Sequence, residues 1–334
     1  MNKKKWIVIA FAVILLVAAS LSNSFRQKDS SEDKTDWFNQ QMTSLLSDKN
    51  YVEKIREEGD PSQRILVIPI EGVIGGNNSA YNQELILDTI EQIRNDESIA
   101  AVVLEIDTPG GSVYETREAY DLFKEIQKER HIPVYASMKS VAASAGYYYA
   151  MLADKVYATP ETLTGSIGVI ISGQNVSKLL NKIGIESYVF KSADLKDMGS
   201  STREMTQEEK DIFQNMIDES FETFVKVVME GRHMKEDKVR KLATGQVYTA
   251  QQAVDNDLID GIKYYRQVID QVRTDNDLQD AQVFEKVSDN ETFSGILSSF
   301  MKGQKSYLDQ FNEIIDRAER LELPKVEYRW EGGY

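Results

Sequence analysis

Twice in this chain, about 35 residues apart, an apolar strand runs into a turn of very small residues and then into a helix. The first copy is Ile99-Ala100-Ala101-Val102-Val103-Leu104-Glu105-Ile106, then Asp107-Thr108-Pro109-Gly110-Gly111-Ser112-Val113, then a helix to about Lys128. The second is Ile132-Pro133-Val134-Tyr135-Ala136, then Ser140-Val141-Ala142-Ala143-Ser144-Ala145-Gly146, then a short helix opened by Tyr147, Tyr148 and Tyr149. Alternation of buried strand and helix predicts an α/β fold, because each strand must bury both faces and each crossover helix covers one of them. The repeat predicts a spiral of ββα units whose two small-residue loops open on the same side.

Both loops expose backbone. Gly110 and Gly111 leave N–H groups unobstructed by side chains, which is half of an oxyanion hole or a plain Pro-Gly turn. In the second loop the strand-to-helix bend lifts Ser144 and aims free helix N-terminal amides at whatever binds there. The alternative is that Ser144 only caps the helix.

Composition narrows the chemistry. At 334 residues, 41% hydrophobic and 28% charged, the chain can bury one large core or two modest ones. It has no cysteine, so disulfides, zinc-thiolate sites and a cysteine nucleophile are excluded. A net charge of -15 argues against nucleic acid as a partner. The two histidines, His131 and His233, both fall in polar, surface-like stretches. A serine nucleophile therefore has a lysine or a carboxylate as its candidate base. A lysine with the ordinary pKa of about 10.4 is neutral less than about one time in a thousand at pH 7, so it must reach a dry, apolar groove to serve. Any of several lysines meets that description. No cofactor or metal is expected.

Lys3, Lys4 and Lys5 precede an apolar run from Trp6 to Leu21. At about 1.5 Å per residue the run reaches roughly 24 Å, and extending it to Phe25 brings it close to a bilayer core. The chain thus divides into a basic cytoplasmic end (1–5), a transmembrane anchor (6–25), a polar stalk (26–62, with helical potential at Trp37–Ile55), a globular domain (63–276) and a C-terminal helical extension with a tail (277–334). Basic residues before the anchor predict a single-pass cell-membrane protein, N-terminus cytoplasmic and globular domain extracellular. A cleaved signal peptide, with small residues Val17-Ala18-Ala19-Ser20, is the competing reading. Within the domain, a strand at Arg64–Ile70 is broken by Gly72, Gly75 and Gly76, and Leu85, Ile86, Ile90 and Ile93 predict a helix. A strand is expected at Glu186–Phe190. A polar loop follows from Lys191 to Glu204, then a long helix from Thr206 to Met229 with a Thr206/Glu209 capping box.

Taken in order, Asp107-Thr-Pro-Gly-Gly-Ser, Ser140-Val-Ala-Ala-Ser-Ala-Gly-Tyr-Tyr, Thr164-Gly-Ser-Ile-Gly-Val, Lys196-Asp-Met-Gly-Ser and Gly245-Gln-Val-Tyr-Thr resemble the signal peptide peptidase A family, in its short membrane-anchored form. The match spans roughly residues 64 to 265. The resemblance implies the Clp protease/crotonase-like spiral, with Ser144 as nucleophile and Lys196 as general base, Lys191 being the runner-up. It also implies Gly111 and the N–H after the nucleophile, on Ala145, as oxyanion donors, with Ser166 orienting the lysine. Ala145 stands where glycine is frequent in the family. The implied substrates are hydrophobic signal-peptide remnants, cleaved by a serine endopeptidase. The implied assembly is a homo-oligomer, an octamer with serine and lysine supplied by neighbouring protomers, so that Ser144 and Lys196 lie out of reach of each other within one chain. Two other readings are an acyl-CoA enzyme on the same spiral, which an outward-facing domain disfavours, and a non-catalytic peptide-binding scaffold. The extension is expected to be an accessory helix plus a tail, whose aromatic end could enter a cleft of its own assembly.

Overall fold

The computed structural model describes residues 51–75 and 80–288, together with the backbone of a strand at 326–329. The anchor at 6–25, the stalk up to residue 50 and the helices expected within 289–325 lie outside the described residues. Among the described residues, no helix is long and apolar enough to cross a membrane.

In chain order the elements are β1 (Tyr51–Glu57), β2 (Asp60–Glu71), α1 (Gln83–Asn95), β3 (Ile99–Thr108), β4 (Gly110–Ser112) and α2 (Val113–Arg130). Then come β5 (Val134–Ala143), α3 (Ala145–Ala150), β6 (Lys155–Ala158), β7 (Leu163–Gly165), β8 (Ile170–Ile171) and α4 (Ser177–Lys182). After a 3-10 turn at Asp194–Asp197 follow α5 (Gln207–Arg232), α6 (Glu236–Leu242), β9 (Val247–Thr249) and α7 (Ala250–Asp255). The last elements are β10 (Gly261–Ile262), α8 (Tyr265–Asp275), β11 (Ala281–Ser288) and β12 (Val326–Arg329).

The result is a mixed α/β sheet, as expected. Its order is β1-β11-β2-β3-β5-β6-β10, with β7 continuing from the upper half of β5 and β9 beyond it. Strands β11, β2, β3, β5, β6 and β10 run parallel to their neighbours in this series. Both faces are buried, and the period of two in each strand sorts residues between them. Leu66, Ile68 and Ile70 of β2 enter the larger core, while Ile65 and Val67 face α8 with Val103, Val268 and Val272. Helix α1 shows the same logic at a helical period: Ile86, Ile90 and Ile93 are buried, and the Asn82 side chain caps the Leu85 N–H.

Two parts of the expected organisation differ. Tyr51–Glu57 is neither stalk nor helix but an edge strand, antiparallel to β11, and Ala281–Ser288 of the expected extension is a sheet strand. The folded unit therefore takes in residues on both sides of 63–276. Backbone ladders join them, and charge adds to the hold. A bulge between Ile55 and Glu57 frees Arg56 to reach Glu105 Oε2 (2.8 Å) and Glu285 Oε2 (2.5 Å), both nearly buried, while Lys54 pairs with Glu285 at 3.0 Å. Glu186–Phe190 forms no strand. It is exposed irregular chain, because no neighbouring strand offers it a ladder. His131 and His233 are exposed C-caps of α2 and α5 in the left-handed conformation (φ 49° and 51°).

Candidate active site

The end of β5 carries the site. Ala143 pairs with Gly165 of β7, and at the next residue the chain turns sharply: Ser144 has φ 56°, ψ -113°. A non-glycine residue there is strained by roughly 1–3 kcal/mol and persists only where its surroundings over-determine it. Here they do. The Ser144 N–H donates to Gly165 O (2.8 Å), and the Ser144 carbonyl accepts from Tyr148 N–H (2.9 Å), opening α3. Tyr147, Tyr148 and Tyr149 are all buried: Tyr147 Oη donates to Leu258 O (2.8 Å), Tyr149 Oη meets Tyr81 Oη (2.9 Å), and Tyr148 packs edge-on to Tyr120 and tilted on Phe224. Gly146 lets α3 sit on the end of β3, where a Cβ would come within 2.8 Å of Thr108 Cγ2.

The hydroxyl does not cap the helix. Ser144 is 1% exposed and its Oγ has no hydrogen-bond partner among the described residues. An orphaned buried hydroxyl costs about 1–3 kcal/mol, so the one at this strained bend calls for an explanation. Ala145, the first residue of α3, has no intrahelical acceptor for its N–H.

The Gly-Gly loop forms β4, against which α3 packs. Ile74 N–H donates to Gly110 O (3.0 Å) and Ile74 O accepts from Ser112 N–H (2.9 Å). Strand alternation then turns the Gly111 amide to the opposite edge. Gly111 has φ 153°, and any Cβ there would lie 2.1 Å from Ile74 O. Ser166, buried and at φ 50°, follows Gly165 on the strand beside Ser144, its N–H held by Gln246 O at 2.8 Å. The chain thus brings Ser144, Ala145, Gly111 and Ser166 onto neighbouring elements. It does not bring Lys196 to them. Lys196 is exposed on the 3-10 turn, and its side chain makes no hydrogen bond or ion pair among the described residues. Lys191 is committed elsewhere, donating to Asp194 O (2.7 Å) and Asp197 Oδ1 (2.8 Å).

Residues 126–279 match the description of peptidase family S49. The chain is 35% identical to a protein of Enterococcus faecium named signal peptide peptidase SppA, over 99% of this chain and 100% of that one. The chain belongs to peptidase family S49. The chain is also similar to Protease 4 of Haemophilus influenzae (29% identical, covering 73% of this chain and 41% of that protein) and to the chloroplastic serine protease SPPA of Arabidopsis thaliana (32%, covering 58% and 28%). The resemblance drawn from the motifs is thus met along nearly the whole chain, and the chain is a peptidase by family.

Of two further features of this S49 chain, the sequence hinted at one, as a tail able to enter a cleft of its own assembly, and left the other unread. One is β12: its backbone pairs antiparallel with β4 on one side (Tyr328 opposite Gly111) and with β8 on the other (Glu327 opposite Ile170). The edge to which Gly111 turns its amide is therefore filled by an extended segment of the same chain. Val326-Glu327-Tyr328-Arg329 lies between Lys325 and Trp330 in that aromatic-ended tail, and nothing in the stretch itself names its strand partners. The other is Arg203, which grips the Lys196 turn. Its guanidinium donates to both Asp197 carboxylate oxygens (2.9 and 2.7 Å) and to the Asp197 carbonyl (3.1 Å), and spans to the Glu209 carboxylate (2.9 Å) at the start of α5. Hydrogen bonds from Arg203 and Lys191 hold the Asp197 carboxyl well below the usual range; Arg203 and the Thr206 N–H lower Glu209 to about 2. Both lie below their unfolded values, so this clamp is fully present above about pH 4–4.5 and fades only as pH falls towards 2.

Proposed function

We propose that this S49 peptidase is a membrane-tethered serine endopeptidase that uses a Ser144–Lys196 dyad on hydrophobic signal-peptide remnants. The observation that carries the reading is the strained, buried and unpartnered Ser144 hydroxyl. Ser144 Oγ attacks the scissile carbonyl carbon while its proton passes to a neutral Lys196 Nζ; the amide C–N bond then breaks and that proton goes to the leaving amine. Water releases the acyl group by the reverse use of the same base. The amides of Gly111 and Ala145 receive the developing oxyanion, and Ser166 orients the amine.

Lys196 is exposed in the single chain and is not bonded to Ser144, so its base role requires a second protomer to cover it and to present the serine. The exposed apolar residues flanking it support that arrangement: Leu179, Ile183, Ile185, Tyr188 and Val189 face solvent in the single chain, and Phe190 is 98% exposed. A surface of this kind fits a homo-oligomer of active-site-sharing subunits, an octamer in the short-form pattern. The N-terminal run at 6–25 would hold the catalytic domain at the outer face of the cell membrane, where such peptides are left after preprotein cleavage. Substrate would enter as β12 does, as an extended strand between β4 and β8.

Mixed assembly tests the shared dyad. Ser144→Ala and Lys196→Ala homo-oligomers are each expected to be inactive, whereas co-expressed subunits should regain activity at roughly a quarter of sites, where an intact serine meets an intact lysine across an interface. Mixed particles as inactive as their parents would overturn the shared site. A chain ending before residue 326 is expected to hydrolyse a hydrophobic peptide with a several-fold lower KM and similar kcat, because a tethered strand no longer competes for the β4–β8 gap. An unchanged KM would show that β12 and substrate do not share it.

A further inference from the structure

Four charged side chains surround the turn that presents Lys196: Asp197 from the turn itself, Lys191 and Arg203 from the two ends of the loop, and Glu209 from α5. Two cations face two carboxylates. Asp194 shares the turn and gives its carbonyl to Lys191, while Glu204 is paired with Lys178 of α4 at 3.8 Å. Asp197 is the nearest carboxylate to Lys196 in sequence, and every one of its carboxylate hydrogen bonds goes to Lys191 or Arg203. Meanwhile Arg203 also fixes the Asp197 carbonyl, so the backbone carrying Lys196 is anchored to the N-terminus of α5.

We infer that Arg203 is a positioning residue for the reaction: by occupying Asp197 it both fixes the turn and keeps that carboxylate from pairing with Lys196 and holding it protonated. A base must lose its proton to work, and a free carboxylate within about 4–6 Å of an ammonium favours the charged form by one pKa unit or more. Arg203 removes that obstacle by electrostatic saturation, and its rigid fork suits the bidentate grip better than a lysine would. The inference rests on Lys196 being the base.

The test is the pH dependence of kcat/KM in the assembled protein, with Lys196→Ala as the control for the base itself. In Arg203→Gln the acidic limb is expected to move up by about one pH unit, giving about tenfold lower activity at neutral pH that recovers at alkaline pH. Adding Asp197→Asn in the same chain is expected to return the limb to its wild-type position, because the carboxylate that Lys191 alone still held is gone. A merely structural role would lower activity by the same factor at every pH, and the second substitution would not restore it; that result overturns the inference. If Arg203→Gln does not fold, Asp197→Asn alone decides, since it leaves Arg203 paired with Glu209. Its limb should stay at the wild-type position, because the carboxylate it removes is already occupied, and a limb that moves down would show Asp197 acting on Lys196 despite Arg203 and overturns the inference. Activity surviving in Lys196→Ala would instead remove the base assignment, a separate failure read in a separate variant.

Discussion

Replacing Ser144 with alanine is expected to lower peptide hydrolysis by about 10⁴-fold or more while leaving the folded protein as stable as before, or slightly more so. The two halves of this result come from the same atom. On the proposed mechanism Oγ is the nucleophile and indispensable, and the N–H donors of Gly111 and Ala145 alone would supply only residual catalysis. As a structural group, Oγ is a burden: it is buried and bonded to nothing among the described residues. Alanine keeps the Cβ and thus the same backbone strain at φ 56°, so the substitution isolates the hydroxyl. Thermal unfolding, a fluorophosphonate probe and a peptide assay read the three consequences: unchanged or raised Tm, no labelling, no turnover. Retained turnover would remove Ser144 from the mechanism, and a large drop in Tm would show that the hydroxyl has a structural partner after all.

Gly111→Ala should be nearly as damaging, by a different route. The added methyl would meet Ile74 O at 2.1 Å, far inside any tolerated contact, and φ 153° is a conformation that a side chain disfavours. Relief requires β4 to move off Ile74, breaking the two hydrogen bonds that hold it. The Gly111 amide then leaves the position from which it would stabilise an oxyanion. Loss of one such donor lowers kcat by about 10²–10³-fold. Because β4 is also the strand that pairs with β12, an extended peptide should bind more weakly as well. Steady-state kinetics separate the outcomes: kcat should fall by at least a hundredfold with Ser144 still in place. A kcat near wild type would mean that the oxyanion is held without Gly111.

Much of this geometry was legible because it follows from residue size and period. The two strand–turn–helix copies, the alternation that splits β2 between two cores, and the Thr206/Glu209 capping box each depend on local chemistry that the sequence states outright. What was not legible depends on distant partners. Tyr51–Glu57 has four charged residues in seven and lacks the apolar alternation of a strand. It is a strand because a partner far away in sequence, Ala281–Ser288, offers it a ladder, with Glu105 and Glu285 placed to receive Arg56. Glu186–Phe190 fails in the opposite sense: its Tyr-Val-Phe content suits a strand, but no edge is available to it. For the site, residue types pointed to serine, glycine and lysine, and only the Lys196-Asp-Met-Gly-Ser motif, through its family resemblance, ranked Lys196 above Lys191. The structure distinguishes them by their bonds, since Lys191 is bound to Asp197 and Asp194 while Lys196 is not.

The edge strand also has a mechanical side. Any tension transmitted along the chain from residue 50 enters the folded body at Tyr51, and the ladder between Tyr51–Glu57 and its neighbour bears it first. Lys54 and Arg56 act as ionic pegs in that ladder, and neither can slide without stripping nearly buried carboxylates of their counter-charge. A pull on the leading segment would therefore be stopped at the rim of the sheet, several strands short of the bend that carries Ser144.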